Sequence, residues 1–102
     1  MHDKGGLAIL MKFDWSHGND TKCAKRVSID EIEQLFHCDP TIIRDVVHSE
    51  NEERFVAIGT VSNRQIHVVF TERFIGGESH IRPISARYMH KKEAKRHGKA
   101  IP

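Results

Sequence analysis

The stretch from Arg54 to Arg87 decides the fold, and it reads RFVAIGTVSNRQIHVVFTERFIGGESHIRPISAR. Segments rich in β-branched and aromatic residues alternate with two turn signals, Ser62-Asn63-Arg64 and a flexible loop over 74–79 that contains Gly76-Gly77. The segments span residues 54–61, 66–73 and 80–87. Each carries an arginine or a glutamate near an end, so the run predicts an antiparallel meander with a charged edge. Such an edge suits a phosphate-rich ligand, and RNA is the first candidate.

Two helices are predicted ahead of this meander. A short helical turn follows Gly18-Asn19 and runs through Lys25. A clearer helix begins at Ser28, because Glu31 stands three residues later and completes the spacing of a capping box. The apolar stripe of this helix comprises Ile29, Ile32, Leu35 and Phe36. Asp39-Pro40 ends the helix, since the residue before a proline disfavours helical backbone.

Further strands are predicted on both sides of these helices. Residues 7–15 alternate in polarity, and their apolar set, which includes Phe13 and Trp15, should face the core. Residues 41–47 form a strand after the helix, and a short cationic helix over 89–97 follows the meander. The chain is therefore predicted to be α+β, with an antiparallel sheet of about four to five strands, N-terminal helices packed on it and a short C-terminal helix.

Length and composition favour one small cytoplasmic domain. The chain has 102 residues, which we divide into an N-terminal extension over 1–10, a single domain over 11–98 and a tail over 99–102. No apolar run approaches the ~20 residues of a membrane span, and no secretory signal is evident. Cys23 and Cys38 form no C-x-x-C pair, which suits a reducing compartment.

Charge is divided unevenly along the chain. Residues 1–53 hold six Lys/Arg and eleven Asp/Glu, a net of −5, whereas residues 54–102 hold ten and three, a net of +7. A basic half of this kind attracts polyanions, although acidic and basic faces of one domain can also be merely solvated. The eight histidines are scattered without metal-ligand spacing, so we expect no metal site and no cofactor.

The order and spacing of many short motifs resemble the BrnT toxins of type II toxin–antitoxin systems, a family with a RelE-like ribonuclease fold. The matching positions are Phe13-Asp14-Trp15, Gly18-Asn19, Val27-Ser28, Glu31, Glu33, Phe36, Asp39-Pro40, Arg44-Asp45, His48-Ser49, 52–59, 69–73, Ile81-Arg82, 84–87 and Glu93. The resemblance covers about residues 11–97 and implies RNA cleavage that inhibits translation. It also implies neutralisation by a BrnA-type antitoxin in a 2:2 complex, with DNA bound only through the antitoxin.

One stretch departs from the resemblance. The family usually carries a histidine and then Lys-His-Gly ahead of the Val-Ser that starts the helix, and here the stretch from Lys22 to Val27 is one residue shorter and lacks both histidines. If those histidines perform chemistry, the chain is a degenerate toxin that only binds its antitoxin or nucleic acid. If they grip phosphate, Lys22, Lys25 and Arg26 could replace them. A basic RNA- or DNA-binding domain without an antitoxin is a third hypothesis.

Metal-independent RNA cleavage needs a base, an acid and cations around the phosphorane, and these roles select the candidate residues. In order of preference they are Arg87, Arg82, Glu72, Lys25, Arg54 and His97. Arg87 is the main phosphorane clamp, with Arg82 or Arg54 beside it, because the planar guanidinium binds phosphate bidentately. Glu72 is either a general base or the group that orients Arg82 or Arg87, and His97 is a candidate acid.

Arg82 and Arg87 lie five residues apart on one strand, so ideal alternation sends their side chains to opposite faces. A bulge at Pro83, or a position of Arg87 beyond the end of the strand, would relax that restriction. The remaining cations are expected to grip RNA phosphates without reading sequence. They are Lys22, Arg26, Lys91, Lys92, Lys95 and Arg96. Solvated faces and ordinary surface ion pairs are the alternative for each of these charges. Phe13 and Trp15 belong to the core rather than to a base-stacking platform.

Overall fold

The predicted antiparallel meander is present, with longer strands than its sequence predicts. The computed structural model describes residues 11–47 and 51–90. These form two helices and a four-stranded antiparallel sheet in the order β1-β2-β3-β4. The elements are α1 (Asn19–Ala24), α2 (Ile29–His37), β1 (Thr41–Arg44), β2 (Phe55–Val61), β3 (Arg64–Ile75) and β4 (Glu78–Tyr88). The α+β class is therefore confirmed, with four strands among the described residues.

Two-residue turns close both hairpins of the meander. Ser62 and Asn63 have φ of 51° and 66°, and Gly76 and Gly77 have φ of 60° and 81°. Paired positive φ values give the backbone twist that matches two antiparallel strands. The predicted flexible loop over 74–79 is wrong, because strand pairing continues to Ile75 and resumes at once at Glu78.

Helix α2 covers one face of the sheet and builds the core. Its predicted capping box is present: the Ser28 hydroxyl accepts a hydrogen bond from the Glu31 amide at 3.1 Å, and the Glu31 carboxylate accepts one from the Ser28 amide at 3.3 Å. Ile32 and Leu35 are fully buried. They pack on alternate sheet residues, namely Ala57, Val61, Ile66, Val68 and Ala86. The odd positions of β2 and the even positions of β3 therefore face α2.

Gly59 is required where α2 crosses β2. A Cβ at this position would lie 2.8 Å from Cδ1 of Leu35, whose side chain is fully buried and closely surrounded. We therefore expect Gly59→Ala to lower the free energy of unfolding by about 1–3 kcal/mol, as overpacking of a core does. Urea denaturation would measure the change. An unchanged midpoint would mean that Leu35 moves aside at no cost.

The N-terminal segment departs from its prediction. Within residues 11–15 there is no strand, only a parallel bridge between Phe13 and Ile81. The Asp14 amide donates to the Ile81 carbonyl and the Ile81 amide to the Lys12 carbonyl, each at 2.8 Å. Met11, Phe13 and Trp15 pack against the core as predicted. The segment thus lies beside β4 as a short strap, which still places the backbone of Asp14 next to the sheet.

Other predicted elements differ in their bounds or fall outside the described residues. The strand over 41–47 ends at Arg44. Met89 and His90 are not helical, and the rest of the predicted C-terminal helix lies outside the described residues. The same holds for residues 7–10 of the predicted first strand and for the tail. Neither described helix has the length and apolar character needed to cross a membrane.

Candidate nucleic-acid interface

A groove lies on the face of the sheet opposite α2. Its apolar floor comprises Ile43, Val56, Ile58, Val69 and Ile84, and its volume is about 750 Å³. Strand alternation explains the floor, because these β2 and β3 positions alternate with the core residues that face α2. Its charged rim comprises Lys22 from α1, Arg44 and Asp45 at the end of β1, and Arg54 just before β2. We call this feature the groove.

A β-bulge at Ile84 determines which side chains of β4 share the groove's face. Val69 is paired with Ser85, whereas the next residue, Phe70, is paired with Pro83, so Ile84 is an extra residue in β4. A bulge is thus present next to Pro83, one of the two arrangements that would relax the alternation, whereas Arg87 itself lies within β4. Because of the bulge, Arg82 and Arg87 are opposite Thr71 and His67, which lie four residues apart on β3. Both arginines consequently lie on the same face of the sheet, despite their odd spacing.

Arg87 and His67 are direct cross-strand neighbours beside the groove. Their Cα atoms are paired between β4 and β3, and His67 is also paired with Ile58 of β2. Both side chains are half-buried. His67 lines the groove and is the only histidine among its described lining residues. The arrangement brings a guanidinium and an imidazole together above an apolar floor, with Lys22 and Arg54 at the rim.

Arg82 has a different environment from the one predicted. One of its guanidinium nitrogens donates to the Asp14 carboxylate at 3.2 Å, to the Ser16 carbonyl at 3.0 Å and to the Ser16 hydroxyl at 3.1 Å. The Arg82 side chain is 13% exposed and the Asp14 side chain 9%. This pair ties the N-terminal segment to β4. The Arg82 guanidinium is therefore held by Asp14 and Ser16, whereas the sequence analysis expected Glu72 to hold it.

The carboxyl of Asp14 is held in its charged form. The Ser16 hydroxyl donates to it at 2.6 Å, and this hydrogen bond is the main reason that the pKa of Asp14 lies below its ordinary value. The charge of Arg82 acts in the same direction, whereas burial opposes both. Because the folded protein favours the ionised carboxylate, ionisation of Asp14 stabilises the folded state relative to the unfolded chain.

Glu72 and Lys25 lie away from the groove. Glu72 accepts a short hydrogen bond from the Ser79 hydroxyl, near the β3–β4 turn. It borders a second depression, with Phe55, Phe70 and Ile81. Lys25 follows α1 and borders a third depression, near Ile29. Neither residue is among the described residues that line the groove. Arg26 is exposed next to Lys25 and is not among the groove's lining residues.

The acidic turn before β2 neutralises part of the cationic rim. Glu52 lies 3.9 Å from the Arg54 guanidinium and 3.4 Å from that of Arg73, and Glu53 lies 3.1 Å from Arg44. The side chains of these pairs are a third to two-thirds exposed. Exposed ion pairs of this kind contribute little to stability. A phosphate could therefore replace either glutamate at small cost.

Several predicted site residues cannot be placed. His97, Lys91, Lys92, Lys95 and Arg96 lie outside the described residues. Within residues 11–47 and 51–90, no group of three His, Cys, Asp or Glu side chains could hold a metal ion. His67 and Asp14 were missed by the sequence analysis. His67 could have been found from its apolar neighbours Ile66 and Val68, because strand alternation places it on the face opposite the core.

A comparison with protein families gives one match to this chain. Residues 15–93 match the family described as "Ribonuclease toxin, BrnT, of type II toxin-antitoxin system". The matched range contains both described helices, all four strands and every groove-lining residue named above. No curated protein matches the chain.

Proposed function

This chain belongs to the BrnT family of ribonuclease toxins of type II toxin–antitoxin systems, and we propose that it cleaves RNA in the groove without a metal ion. The family implies an RNA substrate and an antitoxin partner. The observation that supports the groove as the site is its composition. Cations from α1 and from both ends of the acidic turn surround an apolar floor, and Arg87 stands beside it.

Each part of the groove suits one part of an RNA strand. The guanidinium groups of Arg54 and Arg87 can bind phosphate oxygens bidentately, and the ammonium group of Lys22 adds a point charge. The apolar floor suits the faces of unstacked bases, which are the parts of single-stranded RNA that proteins bind most readily. The site therefore favours single-stranded RNA, and its contacts are mostly to the backbone.

Cleavage of purified RNA tests this proposal. We expect the purified protein to cut single-stranded RNA in the presence of EDTA and to leave 2′,3′-cyclic phosphate ends. We also expect induced expression in a bacterial host to arrest growth. If the folded protein neither cuts RNA nor arrests growth, the ribonuclease proposal is overturned.

Contacts between the rim and RNA phosphates predict a characteristic salt dependence. For Lys22→Ala combined with Arg54→Ala, we expect weaker binding to all RNA sequences alike. The slope of log affinity against log salt should fall by about 1.4, since each lost contact to a single strand removes about 0.7. Fluorescence anisotropy with 2′-deoxy-substituted RNA measures this without cleavage. Lys12→Ala is the control, because Lys12 pairs with Glu78 away from the groove. An unchanged slope would mean that Lys22 and Arg54 do not contact RNA phosphates.

The partner proposed is a BrnA-like antitoxin, in a 2:2 complex built around an antitoxin dimer. DNA would be bound only through that antitoxin, and the complex would act in the cytoplasm. Growth rescue by the co-expressed antitoxin and the mass of the purified complex test these points. We also propose that the sheet and helices are a variant of the RelE-like ribonuclease fold.

A second candidate function is antitoxin binding without catalysis. Exposed apolar side chains favour it: Ile43, Val46 and Val47 are 45%, 70% and 76% exposed at one side of the groove. An apolar patch of this kind is typical of a protein interface. The two candidates differ in one measurement, because a degenerate toxin would bind its antitoxin tightly yet leave RNA uncut.

A further inference from the structure

His67 lines the groove and is the cross-strand neighbour of Arg87. It stands near the middle of β3, with Ile58 opposite it on β2 and Arg87 opposite it on β4. Its side chain is half-buried and lines the groove. Since the backbone of a central strand fixes the position of its side chains, the imidazole is held by the sheet rather than by a loop.

Among the described residues that line the groove with His67 or pair with it, four charged side chains are cationic and one is acidic. They come from α1, from the end of β1, from the residue before β2 and from β4, and the single described acid among them follows β1. These groups are Lys22, Arg44, Arg54, Arg87 and Asp45. Lysine and arginine stay protonated near neutral pH, so they can bind a phosphate but cannot accept a proton. An ordinary imidazole has a pKa of about 6.5 and is mostly neutral at pH 7.5.

We propose that His67 is the general base of the RNA cleavage reaction, a role that rests on the proposed function. A neutral imidazole nitrogen takes the proton of the ribose 2′-hydroxyl. The 2′-oxygen then forms a bond to phosphorus, and the bond between phosphorus and the 5′-oxygen breaks. A solvent water protonates the departing 5′-oxygen, and the imidazolium returns its proton to solvent. The products are a 2′,3′-cyclic phosphate and a 5′-hydroxyl.

Cleavage kinetics of His67→Gln test the assignment. We expect kcat to fall by about 10²-fold, at the lower end of what a general base contributes. Affinity for a non-cleavable 2′-deoxy RNA should change less than about twofold, since glutamine keeps the volume and polarity of the site. The acid limb of the wild-type pH–rate profile should disappear in the variant. His37→Gln is the matched control, because His37 is exposed at the end of α2 on the other side of the sheet.

A second variant separates catalysis from structure. With His67→Ala, added imidazole should restore part of the cleavage rate, whereas a role in folding or packing would not respond to imidazole. Circular dichroism and the melting temperature check that both variants fold. The assignment is overturned if wild type cuts RNA and His67→Gln cuts it equally fast with the same pH profile. If folded wild type cuts no RNA, the proposed function and this assignment fall together.

Discussion

Replacing Arg87 by alanine is expected to slow RNA cleavage by about 10³-fold, near the upper end of the effect of one transition-state donor. The phosphorane carries more negative charge than the ground-state phosphate, and a fixed guanidinium stabilises that additional charge. Arg87 is half-buried and directly opposite His67, so the paired strands hold the two residues side by side, and His67 lines the groove. Single-turnover cleavage with saturating protein measures the chemical step, and growth arrest on induction should be lost in parallel.

Two matched variants make this expectation specific. Arg73→Ala also removes an arginine from the same sheet, but Arg73 is 46% exposed, pairs with Glu52 and does not line the groove. It should cut RNA nearly as wild type does. Arg87→Lys keeps the charge but loses the bidentate fork, so we expect an intermediate rate. Equal rates for wild type and Arg87→Ala, with equal amounts of folded protein, would exclude Arg87 from the chemistry.

Local signals were sufficient to predict much of the fold. Helix α2 was predictable because Ser28 and Glu31 satisfy each other's backbone amides and the apolar stripe has helical spacing. The turn at Ser62-Asn63 was predictable because short polar residues there accept positive φ. The second hairpin turn was predicted as too long, since Gly76-Gly77 marks a turn but does not reveal how far the strands continue toward it.

The features that place the site depend on contacts between distant residues. The bulge at Ile84 brings the side chains of Arg82 and Arg87 to the same face of the sheet. The sequence of a strand does not reveal which of its residues will be the extra one in a bulge. The N-terminal segment alternates like a strand, yet only Phe13 bridges to β4 within its described part. Asp14 therefore had no visible partner in the sequence, since Arg82 lies 68 residues away. Lys22 lines the groove and Lys25 borders a different depression, a difference that their spacing of three residues did not reveal.

Replacing Arg82 by methionine is expected to lower the free energy of unfolding by about 3 kcal/mol, because removal of one partner leaves the other charge buried and unpaired. The carboxylate of Asp14 is only 9% exposed, and Ser16 would also lose two hydrogen bonds from the guanidinium. Urea denaturation measures the loss. Arg73→Met is the control, since its exposed ion pair contributes little. Adding Asp14→Asn to Arg82→Met should recover part of the stability, because the buried charge is then gone.

The same cluster predicts how stability depends on pH. The pKa of Asp14 lies below its ordinary value of about 4 in the folded protein, first because of the Ser16 hydroxyl and then because of Arg82. The unfolded chain therefore binds this proton at higher pH than the folded chain does. The contribution of Asp14 is complete above pH 5 or so and declines as pH falls through about 4 and below. Asp14→Asn removes this dependence, so its stability should fall less steeply with acid than that of wild type. If the free energy of unfolding fell equally steeply with acid in the two proteins, the carboxylate of Asp14 would gain nothing from Ser16 and Arg82. The large loss of stability expected for Arg82→Met would then have no electrostatic cause.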